Sequence, residues 1–148
     1  MNDFIVIAHR GNLNGKNPKL ENGESYCQKA IDAGYNVEID VWYTDTWWTG
    51  HDRPQYRVDP DFLKKDEVWC HAKNIDALYR LQELGTHCFY HERDVATLTS
   101  KGYIWTYPLE HLTSNSICVM PELQKTHTLD ECAGVCTDYA MTMEGWSK

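Results

Sequence analysis

Charged residues stand directly after the first apolar segment of the chain. Residues 4–8 read Phe-Ile-Val-Ile-Ala, which is typical of a buried parallel strand, and His9, Arg10 and Gly11 follow at once. Parallel strands of α/β proteins bind ligands at their carboxyl ends, so His9 and Arg10 are placed to meet a substrate. Gly11 would allow the sharp turn there. A solvated strand end has the same pattern, so this segment needs support from others.

Two carboxylates share one face of the second predicted strand. Residues 36–43 contain Val-Glu-Ile-Asp-Val-Trp, and the two-residue period of a strand puts Glu38 and Asp40 on the same side. Inside a closed barrel such a pair needs a partner, and near the barrel mouth a divalent cation is the natural one. The alternative is an edge strand whose carboxylates are hydrated.

Further polar residues follow in the next two segments. Two tryptophans precede His51 and Asp52, and the third predicted strand, 68–73, places His71 and Lys73 on one face. His91 and Glu92 end the fourth predicted strand. Their side chains are candidates to point into the same barrel mouth; the alternative is that Glu92 forms an ion pair with Arg93 at the surface.

The elements that must position these residues alternate between strand and helix. Helices are predicted over 24–33 and 75–84, ended by Gly34 and Gly85, and Asn74 is a suitable N-cap for the second. Seven strands are predicted, with a doubtful eighth at 95–99; they begin near residues 4, 36, 68, 87, 103, 116 and 134. The later spacings leave room for little more than a strand and a turn, because a βαβ unit needs about 30 residues.

Composition limits the class of protein. The 148 residues are 42% hydrophobic and predict one domain, 1–148. A net charge of −8 argues against nucleic acid as a partner. A mean hydropathy of −0.59 argues against a membrane-spanning helix. The N-terminus shows no secretory signal pattern, and six cysteines without one predict reduced thiols and a cytoplasmic protein.

The order of these short motifs resembles the glycerophosphodiester phosphodiesterase family, which belongs to the phosphatidylinositol-phospholipase-C-like phosphodiesterases. The resemblance is strong over residues 4–52 and weaker at 68–74 and 134–140. The motifs that carry it are His9-Arg10-Gly11, Glu21-Asn22, Glu38-Ile39-Asp40-Val41, His51-Asp52 and Cys136-Thr137-Asp138-Tyr139.

The resemblance implies a TIM-type (β/α) barrel with its active site at the carboxyl mouth and a divalent cation, Mg²⁺ or Ca²⁺ before Mn²⁺. It implies His9 and His51 as the acid–base pair and Arg10 as a phosphate clamp. The same resemblance implies Glu38 and Asp40 as metal ligands, Glu21 beside the metal, and Lys73 as the lysine of the family's Glu-x-Lys motif, close to the phosphate.

The chain departs from the family pattern at two points. His71 stands where the family has a third carboxylate, so it either weakens metal binding, or is itself a ligand that favours a softer ion, or bonds to neighbours without a metal. The chain is also shorter than the ~250 residues typical of such barrels. We therefore expect an α/β fold, a compact TIM-type barrel that is complete or incomplete, with shortened or missing helices in its C-terminal half.

The predicted function is metal-dependent cleavage of a glycerophosphodiester or a related small polyol phosphodiester. One alternative is a catalytically impaired phosphate-binding protein on the same scaffold. Another is a phosphodiesterase or cyclising lyase that acts on a surface-glycan or lipid-headgroup linkage. A shortened barrel would expose strand edges, and a homodimer would cover them.

Overall fold

The computed structural model describes residues 3–123 and 129–148. The strands are β1 (Ile5–His9), β2 (Asn36–Tyr43), β3 (Trp47–Thr49), β4 (Tyr56–Arg57), β5 (Val68–Ala72), β6 (His87–Tyr90), β7 (Ala96–Leu98), β8 (Ile104–Thr106), β9 (Ser116–Val119) and β10 (Gly134–Thr137). The helices are α1 (Glu24–Asp32), α2 (Pro60–Leu63) and α3 (Ile75–Glu83), with two 3₁₀ turns at Pro121–Leu123 and Leu129–Glu131.

All ten strands belong to one curled, mixed sheet. Seven of them run parallel in the order β6-β5-β2-β1-β10-β9-β8. The other three are antiparallel additions: β3 pairs with β2, β4 with β3, and β7 with β8. Among the described residues no strand ladder joins β6 to β7, so the sheet is a half-barrel.

The prediction of a TIM-type (β/α) barrel is wrong. Helices do not alternate with strands: three short ones occur in the described ranges, and all precede β6. Strands β8 and β9 are joined by residues 107–115 alone, which is too short for the helical crossover of a βαβ unit. The antiparallel strands β3 and β4 have three and two residues, and a periodicity argument does not detect segments that short, whereas β7 lies within the doubtful eighth strand at 95–99.

The two longer helices follow the sequence closely. Helices α1 and α3 coincide with the predicted segments 24–33 and 75–84 to within one residue. Asn74 is the N-cap of α3, because its side-chain oxygen accepts a hydrogen bond of 3.0 Å from the amide of Ala77. Gly34 and Gly85 follow the two helix ends with φ values of +99° and +73°, which favour glycine.

The sheet has an apolar layer on each face. On the convex face, side chains from β2 and β5, such as Ile39 and Cys70, pack under the helices, which contribute residues such as Leu81 of α3. On the concave face, every parallel strand but β2 contributes to a second layer of buried side chains: Ile7, Trp69, Phe89, Trp105, Ile117, Val119 and Cys136. In β1, β5, β6 and β10 the next inward position toward the carboxyl end is polar, which places His9, His71, His91 and Asp138 beyond this apolar layer. None of the helices in the described part of the chain is long and apolar enough to cross a membrane.

Candidate functional site

Strand register brings polar side chains from distant parts of the sequence together. His9 of β1 lies beside Glu38 of β2, and Asp40 of β2 lies beside His71 of β5. Ala8 pairs with Thr137 of β10, which brings Asp138 next to His9. Because these strands are parallel, the polar groups meet at one end of the concave face.

Glu38, Asp40 and His71 form a group that fits a metal ion. One potential ligand atom from each lies within 4.8 Å of the others, and Nδ1 of His71 is 3.5 Å from Glu38 and 3.2 Å from Asp40. Both carboxylates are 1% exposed. Nε2 of His71 donates a hydrogen bond of 2.8 Å to the carbonyl oxygen of His91, so Nδ1 is the nitrogen that faces the acids. Outer hydrogen bonds of this kind orient histidine ligands in metal proteins. We call Glu38, Asp40 and His71 the acid–histidine triad.

The triad is strongly charged. Burial lowers the pKa of His71, but the nearby carboxylates of Asp40 and Glu38 outweigh this and raise it to about 9. Burial raises the pKa of Asp40, but the adjacent imidazoles of His51 and His71 and the charge of Arg10 hold it well below its usual range. The side-chain amide of Asn22 also fixes this carboxylate. It donates a hydrogen bond of 3.0 Å to Oδ2 of Asp40 and accepts one of 2.8 Å from the backbone amide of Asp40. The Asp40 carboxylate is therefore anionic and held in place.

Arg10 reaches the same region through an unusual backbone conformation. Its φ of 56° is uncommon for a residue with a side chain, and its amide donates to Glu38 at 3.2 Å. The guanidinium donates to Glu21 at 3.2 Å and lies 3.4 Å from Asp40. Nη2 of Arg10 lies 2.7 Å from Nδ1 of His51. The guanidinium thus spans several members of the site.

Glu21 lies outside the acid–histidine triad. It is buried, and its carboxylate accepts hydrogen bonds from Arg10, from the Asn12 amide at 3.0 Å and from the Asn17 backbone at 2.6 Å. Its observed contacts position Arg10; its role as a metal ligand stays a prediction.

His9 and Asp138 form a hydrogen-bonded pair. Nδ1 of His9 lies 2.8 Å from Oδ1 of Asp138, and Nε2 lies 3.9 Å from Glu38. Asn12 donates to the same Asp138 oxygen at 2.9 Å. Burial lowers the pKa of His9, but the hydrogen bond to Asp138 and the charge of Glu38 more than compensate, so it rises above its ordinary value. The pair resembles the Asp–His part of a Ser-His-Asp catalytic triad, in which the carboxylate orients the imidazole ring.

His51 is the most exposed member of the site, with 46% of its side chain accessible. Arginine can only donate hydrogen bonds, so its contact with Nδ1 holds a lone pair on that nitrogen and the proton on Nε2. Nε2 lies 3.6 Å from Asp52, which is itself exposed.

One cavity of about 240 Å³ connects these groups. Its lining includes six of the eight predicted site residues: His9, Arg10, Glu38, Asp40, His51 and His71. A neighbouring cavity of about 480 Å³ shares His9 and Arg10 and also contains Glu21. Lys73 does not line either cavity. Its charge is close to His91, where burial and the charges of His71 and Lys73 lower the pKa of the ring.

Two site residues received no role from the sequence. Asp138, within the last motif, orients His9; its inward direction follows from the two-residue period after Cys136. Asn22, next to Glu21, holds Asp40.

Comparisons with protein-family models, with curated proteins and with solved structures found no match to this chain.

Proposed function

We propose that this protein is a metal-dependent phosphodiesterase that acts on a small phosphodiester. The observation that carries the proposal is the convergence of two imidazoles, one guanidinium and the acid–histidine triad on one cavity. The motif resemblance to glycerophosphodiester phosphodiesterases suggests a glycerol or other polyol diester as substrate.

The acid–histidine triad would hold the metal. Three buried carboxylates, from Glu21, Glu38 and Asp40, lie beside the one guanidinium of Arg10, so this part of the site would accept further positive charge. Two oxygen ligands and one imidazole nitrogen suit a divalent ion. Such an ion, when bound, supplies positive charge beside the phosphate oxygens.

His9 is assigned the role of general base. Asp138 accepts a hydrogen bond from the N–H of Nδ1, which leaves Nε2 as the nitrogen that takes a proton from the nucleophile. The nucleophile is water or a neighbouring hydroxyl of the substrate. Asp138 also stabilises the imidazolium that forms, consistent with the raised pKa of His9.

His51 is assigned the role of general acid. Its Nε2 carries the proton because Nδ1 accepts from Arg10, and it is accessible to a leaving alkoxide. Arg10 binds a non-bridging phosphate oxygen. As the guanidinium turns toward the phosphate, Nδ1 of His51, 3.4 Å from Asp40, takes a proton from solvent, and the resulting imidazolium gives its Nε2 proton to the leaving alkoxide.

A comparison of leaving groups tests these assignments. The chain is assayed with glycerophosphocholine and with bis(p-nitrophenyl) phosphate in Mg²⁺, Ca²⁺ or Mn²⁺. An aryl leaving group departs without protonation, so His51→Ala should lose about 100-fold or more on the alkyl diester and much less on the aryl one. His9→Ala should lose similarly on both, and His111→Ala, which changes an exposed histidine, should lose nothing.

The outcome of this assay also separates the alternatives. Lack of metal-stimulated turnover on any diester, combined with binding of inorganic phosphate that Arg10→Gln abolishes, would indicate a phosphate-binding protein. A cyclic phosphate as first product would indicate a lyase. Equal losses for His51→Ala on both substrates would refute the assignment of the acid.

A further inference from the structure

His91 lines the 240 Å³ cavity, and neither of its ring nitrogens has a hydrogen-bond partner among the described residues. It follows β6 directly and is 2% exposed. The other histidines of this cavity, His9, His51 and His71, each make at least one polar contact through a ring nitrogen. A buried imidazole with two unpaired nitrogens costs free energy that a bound ligand would recover.

The surroundings of His91 do not provide a partner. Oδ2 of Asp94 lies 3.8 Å from Nδ1, which is too long for a hydrogen bond. The ring packs edge-on against Tyr107 at 3.9 Å between centroids, and the Tyr107 hydroxyl donates to the Glu92 carbonyl oxygen instead. Within the described ranges no carboxylate lies in hydrogen-bonding reach of the His91 ring, so both of its nitrogens are left for a ligand.

The lining of the cavity combines charged and uncharged residues. Its uncharged part consists of two aromatic side chains, Trp105 and Tyr107, together with Pro108, Val119 and Met120, and Tyr107 contacts His91 directly. The acid–histidine triad, His9, Arg10 and His51 provide the charged and titratable part. The lining therefore suits a ligand with an anionic part and a largely uncharged part.

We propose that His91 hydrogen-bonds to a hydroxyl group on the alcohol portion of the substrate; this rests on the proposed function, in which the same cavity binds a phosphodiester. A hydroxyl both donates and accepts a hydrogen bond, so it can pair with either nitrogen of the imidazole, whereas an ionised phosphate oxygen only accepts. The aromatic side chains cover the carbon skeleton of the alcohol. The substrate is thus a hydroxylated alkyl diester.

The test uses two diesters that share a p-nitrophenyl leaving group and differ in the second alcohol. One carries glycerol and the other carries propanol, which lacks the free hydroxyls. His91→Phe keeps a ring but removes both hydrogen-bonding groups. It should lower kcat/KM for the glycerol diester about 10- to 100-fold and change the propyl diester by no more than about threefold. His91→Gln, which retains a donor and an acceptor, should recover part of the loss. Equal losses on both diesters, or none, would overturn the proposal.

A binding measurement separates this inference from the proposed function. Glycerol 3-phosphate and propyl phosphate are titrated into the native chain and into His91→Phe in Mn²⁺ by calorimetry. A preference for glycerol 3-phosphate that His91→Phe removes supports the hydroxyl contact, even if no diester is cleaved. Cleavage of both diesters without such a preference refutes the contact and leaves the phosphodiesterase proposal intact. If His91→Phe fails to fold, His91→Gln and the NMR shifts of the His91 ring in the native chain, with Ca²⁺ as the ion, decide.

Discussion

Metal binding by the acid–histidine triad should depend steeply on pH, because His71 must lose a proton to become a ligand. The pKa of His71 is about 9: burial lowers it, and the carboxylates of Asp40 and Glu38 raise it by more. At pH 7 an ion must therefore displace the proton from Nδ1, at a cost of about 2.7 kcal/mol for about two pH units. This corresponds to a weakening of Kd by about 100-fold.

The perturbation is a change of pH from 7 to 9 in the native chain and in His71→Glu. The Kd for Mn²⁺ should fall about tenfold per pH unit in the native chain and level off above pH 9. Asp40 does not contribute in this range, because its pKa lies well below its usual value. In His71→Glu the third ligand is already ionised, so the dependence should disappear. This variant retains His9, and so the difference between the two chains isolates His71.

Calorimetry in two buffers of different ionisation enthalpy measures both the Kd and the protons released. We expect about one proton released per ion at pH 7 and about half a proton at pH 9. Equal pH slopes in the two chains, or binding without proton release at pH 7, would refute the view that Nδ1 of His71 is a ligand.

Three further predictions concern metal choice and stability. The native chain should favour Mn²⁺ over Ca²⁺ about tenfold more than His71→Glu does, since imidazole suits the softer ion; paired titrations measure the ratio. Burial, with the charge of Lys101, lowers the pKa of His87 to about 4, so between pH 4 and 6.5 the unfolded chain binds more protons and stability falls as pH falls. Between pH 7 and pH 4, the free energy of unfolding measured in urea should fall by about 2 kcal/mol more in the native chain than in His87→Gln. Asn74→Ala should lower the free energy of unfolding by about 1–2 kcal/mol, because it removes the cap of α3 and two hydrogen bonds to Tyr43.

Exposed residues of the same types provide the controls. His111→Gln should leave the acid dependence of stability unchanged, and Asn115→Ala should change the free energy of unfolding by no more than about 0.5 kcal/mol. If the free energy of unfolding of His87→Gln fell as much as that of the native chain down to pH 4, the conclusion that His87 is buried in its neutral form would be wrong. If Asn74→Ala matched Asn115→Ala, the cap would contribute nothing to the stability of α3.

The sequence by itself determined the local features of this protein. Helix α3 lies where its apolar period, Asn74 and Gly85 predict it, because capping and periodicity act within a few residues. For the same reason, the alternation of β2 gave the shared face of Glu38 and Asp40. The polar residues after the apolar segments also marked one end of the strands as the place of the site.

Tertiary structure decided how these local pieces meet. Asp138 contacts His9 across 129 positions of the chain, and only the pairing of β1 with β10 brings them together. The half-barrel, in place of the expected TIM-type barrel, results from short antiparallel strands whose position is set by neighbours rather than by their own pattern. The cavity that His91 lines is formed by side chains from distant strands, among them Glu38 of β2 and Trp105 of β8. Register, curvature and burial are long-range properties, and a local pattern of residue types does not contain them.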